Sequence, residues 1–337
     1  MNILVFSPSW VGDMVMTQTL FKVLQQQYPD LNLDVIAPPW PYDLLQRMPE
    51  VSNHYKIEVQ RGKFSWQARR DIANSIKDKH YDWAITMPIT WKSALNGYWS
   101  GAAKRTGFLG EMRYGLLNDK RKLDTKKLPF MVQRYVSLGL DPNADIPELD
   151  SIPQPQLSID KDNTENWLQQ LNIEPGQPIV ALMPGAEFGP AKRWPSENYA
   201  LIAKDLVQSG KQVLILGSPK DFSTADEIVQ KSDVDVINLC GKTSLLDAVD
   251  ILSCANLAIS NDSGLMHIAA AVNIPQIAIY RSSTPEFTPP LNDKAIILQA
   301  EFNNPAVDRI KLKSLDGIAG FTDVSVDQVR SSIQSIW

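Results

Sequence analysis

The sequence predicts an α/β protein made of two doubly wound parallel-sheet domains that face a cleft. Short apolar runs of strand length alternate with amphipathic runs of helical length along the whole chain, and this alternation is typical of parallel α/β units. The length of 337 residues exceeds what one hydrophobic core usually fills, so two domains are expected. With 44% hydrophobic and 21% charged residues, the composition is globular and excludes a disordered or fibrous protein.

The first domain is expected over residues 1–150. Its predicted elements are a strand, a helix, a second strand and a later strand, over residues 2–7, 17–28, 33–37 and 83–87. Between residues 140 and 158 the helical pattern disappears, four prolines occur and acidic residues cluster, as in an extended linker. The boundary between the two domains is therefore expected in this stretch.

The second domain is expected over residues 151–323, where the alternation starts again. Its predicted strands cover residues 179–183, 212–216, 234–238, 257–260 and 276–280. Residues 324–337 form a closing segment, because Val326, Val329 and Ile333 share one face of a predicted helix. Open parallel sheets bind ligands at the carboxyl ends of their strands, so we look for site residues in the loops that follow strands.

The sequence lacks the motifs of several reaction classes. No Gly-x-Gly-x-x-Gly follows the first strand, so a dinucleotide site is not expected. Residues 241–243 end like a phosphate-binding P-loop, but Val236 occupies the required upstream glycine position, which argues against a kinase or an ATPase. The three histidines lack the spacing of a zinc helix, and no Gly-x-Ser-x-Gly nucleophile elbow occurs. These absences argue against dinucleotide-binding, P-loop, zinc-helix and nucleophile-elbow chemistry.

The sequence also indicates the cellular compartment of the protein and an uneven distribution of its charge. The first residues show no signal-peptide pattern, and two cysteines suit a reducing compartment, so a cytoplasmic protein is expected. The net charge of −5 hides an asymmetry: residues 61–134 hold 16 Lys and Arg against 6 Asp and Glu, whereas residues 151–337 hold 14 against 22. Such a basic stretch binds nucleic acid, an anionic membrane or an anionic substrate, or it is a solvated face.

The first chemical candidate follows the first predicted strand. Residues 7–13 leave this strand, turn through Gly12 and present the Asp13 carboxylate as a helix begins. An aspartate at a helix start is either a cap or, in a site, a general base. The residues alone leave both interpretations open.

Two further candidates follow strands of the second domain. Residues 184–195 form a loop rich in glycine and proline that ends in two cations, which favours an anion cradle over a stiff turn with solvated cations. Residues 260–267 lead from a strand into a helix whose first amides suit a diphosphate. Within this run, Asp262 is a site residue or a helix cap, and His267 is a ligand contact or a satisfied core histidine.

These motifs, in this order, resemble the bacterial lipopolysaccharide heptosyltransferases over nearly the whole chain. The most specific stretches are residues 8–14, 110–119, 184–195 and 261–267. The resemblance implies a GT-B glycosyltransferase with the acceptor on the first domain, the donor on the second, and the closing helix packed back on the first. It also implies inverting, metal-independent transfer of L-glycero-D-manno-heptose from ADP-heptose to the first heptose of the lipopolysaccharide inner core.

The resemblance assigns site residues by position. Asp13 would be the catalytic base, and Lys192 would contact the donor phosphates and share in catalysis. The implied donor contacts are Gly185, Glu187 and Phe188, Asp221 at the ribose, Gly241, Lys242 and Thr243 at the adenine, and Asp262, Ser263, Gly264 and His267 at the diphosphate and heptose. The implied acceptor contacts are Trp10, Lys92, Arg113 and Tyr114, with Lys92 and Arg113 on the anionic inner core.

One position departs from the family pattern. Where family members usually follow the tyrosine of the fifth strand with Gly-Pro, this chain has Arg281-Ser282 after Tyr280. Arg281 either crowds the diphosphate or adds a contact to it.

The implied acceptor gives the basic stretch a use, because it is a phosphorylated glycolipid on an anionic membrane face. This stretch also contains three tryptophans, Trp66, Trp91 and Trp99. Either they belong to the core, which is the favoured interpretation, or they hold the enzyme peripherally on the inner leaflet of the inner membrane. The acidic overall charge and the lack of a nucleic-acid motif argue against a nucleic-acid partner. The alternatives are a family member that adds the first heptose, a GT-B nucleotide-sugar epimerase, and a non-catalytic module that binds a nucleotide sugar or nucleic acid.

Overall fold

The structure is a computed structural model, and it describes residues 1–59, 64–174, 176–187, 189–303, 312, 314–315 and 317–337. These residues form two compact units, Met1–Ser158 and Ile159–Trp337. The border lies at the end of the stretch predicted as a linker, eight residues after the predicted position. Among the described helices, none combines the length and the apolar character needed to cross a bilayer.

The first unit is a parallel sheet with helices, as predicted. Its described strands are β1 (Asn2–Phe6), β2 (Asn32–Ala37), β3 (Asn53–Lys56), β4 (Trp83–Thr86), β5 (Lys104–Phe108) and β6 (Asp119–Arg121). Its helices are α1 (Val11–Gln27), α2 (Pro39–Tyr42), α3 (Trp66–Ile76), α4 (Trp91–Trp99) and α5 (Met131–Ser137). The strand order is β3-β2-β1-β4-β5-β6, and every pair is parallel. The order steps from β1 to β4, which makes the sheet doubly wound.

Helix α1 begins earlier than predicted. It starts at Val11 instead of Thr17, because Gly12 lies inside its first turn and Met14 is fully buried. The preceding residue, Trp10, has an extended backbone and is the residue before the first helical turn. The chain therefore passes from β1 into α1 within a few residues, and Asp13 belongs to the helix.

The second unit repeats the architecture. Its described strands are β7 (Ile179–Met183), β8 (Gln212–Ile215), β9 (Val236–Asn238), β10 (Leu257–Asn261), β11 (Gln276–Tyr280), β12 (Ala295–Gln299), β13 (Glu301–Phe302) and β14 (Phe321–Thr322). Its helices are α6 (Lys161–Gln170), α7 (Ser196–Gln208), α8 (Phe222–Ser232), α9 (Leu245–Ser253), α10 (Gly264–Ala271) and α11 (Val326–Ile336). The main sheet has the order β12-β11-β10-β7-β8-β9, and β13 pairs with β14 separately. All five predicted strands are confirmed, and β12 is an edge strand that was not predicted.

The last helix is grouped with the second unit. Val329 of α11 is fully buried in the core of this unit, and Val326 and Ile333 pack against the same core. Arg330 of the same helix pairs with Asp205 of α7 at 2.8 Å. Helix α11 thus packs on the core of the second unit, and the implied packing of this helix on the first domain stays a prediction.

Candidate active site

Asp13 is the third residue of α1 and is partly buried. It does not occupy the cap position, which Trp10 holds, so the helix-cap interpretation is wrong. Tyr135 of α5 donates a hydrogen bond to the Asp13 carboxylate, and burial together with this carboxylate raises the pKa of Tyr135 well above its ordinary value. The tyrosine keeps its proton and orients the carboxylate. Nothing in the local sequence around Asp13 indicated this partner.

A cavity of about 1110 Å³ opens in the first unit at the carboxyl ends of its strands. Its wall includes Trp10 and Lys92 from the predicted acceptor set. Trp40, Trp91 and Arg69 add two aromatic faces and a second cation. Flat aromatic faces and cations are the groups that suit a sugar carrying phosphate or carboxylate, so this cavity has the chemistry expected of an acceptor site.

The other two predicted acceptor residues differ in exposure. Tyr114 is 73% exposed, whereas Arg113 is fully buried. The Arg113 Nη1 atom donates to the Pro88 carbonyl at 3.0 Å, and its Nε and Nη2 atoms are buried without a hydrogen-bond partner in the described structure. Burial lowers the pKa of Arg113 to about 10, although the nearby Glu111 carboxylate acts in the opposite direction. Arg113 therefore lies beneath the surface, and contact with an acceptor requires its loop to move.

Aromatic side chains on α3, on α4 and just before α3 form a partly exposed cluster, which we call the aromatic cluster: Phe64, Trp66, Trp91 and Trp99. Phe64 stacks on Trp91 with ring centroids 5.1 Å apart, and Trp66 meets Trp99 edge to face at 5.1 Å. Trp66 is 53% exposed and Trp91 is 38% exposed. The favoured expectation that the three tryptophans belong to the core is wrong for Trp66 and Trp91, because each begins a helix with one face in solvent, whereas Trp99 is half-buried.

In the second unit, Lys192, Asp262 and His267 come together. The Lys192 ammonium pairs with Asp262 Oδ2 at 2.5 Å. Ser263, in extended conformation, precedes the first turn of α10, which begins at Gly264, so Asp262 is not the cap of this helix. Burial lowers the pKa of His267 to about 4; Asp262 opposes this effect and Lys192 adds to it. His267 is therefore neutral near neutral pH, beside a cation and the open amides of a helix start.

Asn261 ties these groups to the loop that follows β7. It is fully buried, and its Oδ1 atom accepts hydrogen bonds from the Trp194 amide at 3.0 Å and the Tyr199 hydroxyl at 3.1 Å. Its Nδ2 atom donates to the Pro184 carbonyl at 2.6 Å. Sequence reasoning gave Asn261 no role, although a polar residue at the end of a buried apolar strand is a visible signal.

The ends of β7, β8 and β9 bring Gly185, Asp221 and Gly241 together. A Cβ atom on Gly185 would lie 2.6 Å from the Asp221 carboxyl carbon, so only glycine fits there. Gly241 has a φ of +74°, and its Cβ would lie 3.0 Å from Pro219. The Asp221 carboxylate accepts hydrogen bonds from the Ser218 amide at 2.9 Å and hydroxyl at 2.7 Å. These glycines allow three strand ends to meet closely.

The remaining predicted donor residues differ in their exposure and in their contacts. Lys242 is exposed and Thr243 is half-buried, just before the helix that Ser244 caps. Glu187 is exposed and pairs with Lys220 at 2.8 Å. Phe188 lies outside the described residues. Among the described residues, no group of three or more His, Cys, Asp or Glu side chains is arranged to hold a metal ion.

Arg281, the departure after β11, is directed at protein groups. Its Nε and Nη2 atoms donate to the two carboxylate oxygens of Asp323 at 2.9 and 2.6 Å. Its Nη1 atom donates to the carbonyl of Arg193. The sequence pattern suggested a group beside the diphosphate, and it gave no sign of Asp323, which lies 42 residues further along the chain.

Comparison with known proteins adds the family. Lipopolysaccharide heptosyltransferase 2 of Escherichia coli is 42% identical over 89% of this chain and 88% of that protein, and lipooligosaccharide heptosyltransferase 2 of Haemophilus influenzae is 43% identical over the same shares. The solved structure of E. coli ADP-heptose LPS heptosyltransferase II has 38% identity and a TM-score of 0.86, over 100% of this chain and 98% of that one. Its match supports the predicted GT-B architecture. The family profile "Glycosyltransferase family 9 (heptosyltransferase)" matches residues 69–318, and the chain belongs to this family of glycosyltransferases.

Proposed function

We propose that this protein transfers L-glycero-D-manno-heptose from ADP-heptose to the first heptose of the lipopolysaccharide inner core. The names of the E. coli and H. influenzae relatives support the substrate class, and the E. coli protein of known structure, an ADP-heptose heptosyltransferase by name, supports the donor. The observation that carries the proposal is the meeting of Lys192, Asp262 and His267 at the start of α10. A cation and helix-start amides at one point suit a departing diphosphate.

The second unit supplies the leaving-group chemistry. As the bond to the anomeric carbon breaks, negative charge grows on the β-phosphate of ADP. Lys192 and the amides of Ser263 and Gly264 neutralise this charge, so the reaction proceeds without a metal ion or another cofactor. The Asp262 carboxylate only accepts hydrogen bonds, and it therefore suits heptose hydroxyls and not phosphate. Preorganised donors of this kind are each worth about 3–4 kcal/mol in the transition state.

Asp13 is the general base of the proposed reaction. It removes the proton from the acceptor hydroxyl while this oxygen attacks the anomeric carbon from the side opposite to the diphosphate. The attack inverts the β-linked donor to an α-linked product. The hydrogen bond from Tyr135 supports this role, because it holds the carboxylate in one orientation.

The acceptor binds to the first unit in this proposal. The cavity lined by Trp10 and Lys92 receives the inner-core sugars. Tyr114, the residue after Arg113, is exposed and available for contact with the acceptor. Cations that the structure leaves exposed add attraction for an anionic glycolipid, and they are Arg70, Lys77, Lys79, Lys120, Lys122, Lys126 and Lys127.

We further propose peripheral contact with the inner leaflet of the cytoplasmic membrane. The aromatic cluster supports it, because tryptophan rings favour the membrane–water interface. The exposed cations favour an anionic lipid surface. A Trp66→Ser variant should bind less well than the parent protein to vesicles of phosphatidylcholine and phosphatidylglycerol, and equal binding would contradict this contact.

The deciding experiment combines the protein with ADP-heptose and heptose-deficient core lipid and weighs the products by mass spectrometry. We expect ADP release only with the acceptor present, and one added heptose on a lipid that already carries one. ADP-heptose conversion without acceptor would indicate an epimerase, and addition to a lipid without heptose would indicate a first-heptose enzyme. Loss of activity in EDTA that a divalent ion restores would contradict metal independence. A Lys192→Ala variant should lose about 10²–10³-fold in kcat.

A further inference from the structure

Arg281 lies between three separate segments of the second unit. It follows β11, its bidentate partner Asp323 precedes α11, and its third acceptor is the carbonyl of Arg193 in the loop after β7. A guanidinium bound to both oxygens of one carboxylate has a defined orientation, because two parallel bonds prevent rotation. The side chain is also largely buried, with 12% exposed. Arg281 therefore joins the carboxy-terminal segment to the residue that follows Lys192.

The peptide group between Arg193 and Trp194 is held from both sides. Its carbonyl accepts from Arg281, and its N–H donates to Asn261 Oδ1 at 3.0 Å. The indole of Trp194 donates to the carbonyl of Val324 at 2.7 Å, next to Asp323. Asn261 in turn precedes Asp262, the partner of Lys192. These contacts close two rings that share the Arg193–Trp194 peptide group. The first runs from Lys192 along the backbone to Trp194, across to Asn261 and back through Asp262. The second runs from this peptide group through Arg281 to Asp323 and returns from Val324 to the Trp194 indole.

We propose that Arg281 and Asp323 form a brace that positions Lys192 for the departing diphosphate, which makes Arg281 a positioning residue of the transfer reaction. The inference rests on the role of Lys192 in the proposed function. The Lys192 side chain is 23% exposed and has several rotatable bonds, so its ammonium needs a fixed backbone to stay in one place. A charge held in place before the reaction stabilises the transition state without reorganisation.

The brace acts on the chemical step more than on donor binding. Arg281 uses its Nε, Nη1 and Nη2 atoms on protein acceptors, so its removal takes no described bond from the nucleotide. What changes is the freedom of the loop that carries Lys192. Small displacements of a catalytic group lower turnover strongly, because the geometry of the reacting atoms is lost.

The test is a double-mutant cycle measured as kcat for acceptor-dependent ADP release. Arg281→Ala and Asp323→Asn should each lower kcat about tenfold and leave ADP affinity within about twofold. In a Lys192→Ala background, Arg281→Ala should cause no further loss, because the group that it positions is gone. Arg330→Ala is the matched control: it breaks the ion pairs of Arg330 with Asp205 of α7 and with Asp327 of its own helix, and kcat should not change.

Hydrogen exchange supplies a second measurement that does not depend on activity. Amides of residues 189–194 should exchange faster in Arg281→Ala and in Asp323→Asn than in Arg330→Ala. The Asp323→Asn variant keeps the shape of the side chain, so it remains informative if Arg281→Ala fails to fold. Equal exchange in all three variants, unchanged kcat, or an equal loss in both backgrounds would overturn the brace. Normal turnover of Lys192→Ala would instead overturn the proposed role of the lysine.

Discussion

Asp13 shows how a single residue acquires chemistry from its position. It lies in the first turn of α1, where the helix dipole favours a negative charge, and it accepts a hydrogen bond from Tyr135. Both features favour the ionised carboxylate, and the hydrogen bond also fixes its orientation. Proton removal from a hydroxyl requires a base that is ionised and held in place.

Replacement of Asp13 by asparagine should lower kcat about 10²–10⁴-fold, because the amide keeps the shape of the side chain but cannot take a proton. The free energy of unfolding should change little, since the hydrogen bond from Tyr135 still has an acceptor. Steady-state ADP release and urea unfolding measure the two quantities. Asp30→Asn, an exposed aspartate of the same unit, serves as control. Undiminished turnover in Asp13→Asn would refute the role.

The buried His267 predicts a pH dependence of stability. Its pKa is lowered to about 4 in the folded protein from 6.5 in the unfolded chain, because burial penalises the charged form. The unfolded state therefore takes up the proton first as the pH falls. The contribution to stability is complete above pH 6.5 and is lost as the pH falls to about 4, with a total of roughly 3 kcal/mol.

A comparison of His267→Gln with the parent protein measures this contribution. Urea unfolding at several pH values should show a smaller loss of stability below pH 6.5 in the variant. His80→Gln, at an exposed histidine of the first unit, should behave like the parent protein. A variant that loses as much stability as the parent would show that His267 is not kept neutral by burial.

At the scale of elements, the site of the second unit is a meeting of strand ends. Parallel strands place their carboxyl ends at one edge of the sheet, and the loops after β7, β8, β9 and β10 therefore lie close together. How closely they converge depends on glycine. A Cβ atom on Gly185 would lie 2.6 Å from the Asp221 carboxyl carbon, and one on Gly217 would lie 2.8 Å from Cys240 Sγ and 3.0 Å from Asp221 Cβ.

Gly185→Ala should destabilise the second unit by about 1–3 kcal/mol, since the new methyl overlaps the Asp221 carboxylate and the loop must move. ADP binding should weaken as well, because Gly185 is itself one of the implied donor contacts. Thermal unfolding and calorimetric titration with ADP measure the two effects. Ala186→Gly changes the next position without adding an atom and should preserve ADP affinity. Parent-like ADP affinity in Gly185→Ala would indicate that the loop does not contact the nucleotide.

At the scale of the whole molecule, charge is divided unequally along the chain. Part of the basic stretch is used inside the first unit: Arg113 is buried, Arg69 donates to the carbonyls of Phe64 and Lys92, and Arg121 pairs with Asp119. The exposed cations are the ones left to act at longer range. Their field is screened by salt, with a Debye length of about 10 Å at 0.1 M.

The KM for the lipid acceptor should rise several-fold between about 50 and 200 mM salt, whereas kcat at saturating acceptor should change little, because steering acts on encounter. Lys126→Glu combined with Lys127→Glu should raise this KM at low salt and flatten its salt dependence. Lys161→Glu, an exposed lysine of the second unit, is the matched control. A KM independent of salt would contradict electrostatic steering of the acceptor.

Much of the fold was predictable because its signals are local. The buried strands β1, β2, β7, β10 and β11 are short apolar runs, and such runs can be recognised without knowing their neighbours. Strands β3, β5 and β6 were not predicted, since most of their residues are polar, and edge strand β12 was missed although residues 295–298 are an apolar run. The start of α1 was misplaced because Gly12 suggested a turn, whereas helix packing accepts a glycine there.

The candidate site divides in the same way. The order of residues was enough to predict two α/β domains and to place Asp13, Lys192 and Asp262 in loops or helix starts after strands. The folded chain was needed to show which distant groups meet: Tyr135 with Asp13, and Arg281 with Asp323 and with Arg193, 88 residues away. Hydrophobic periodicity can be recognised from the residues of one helix or strand alone. A hydrogen bond between two elements depends on how whole helices and strands pack, and the sequence of either element does not show it.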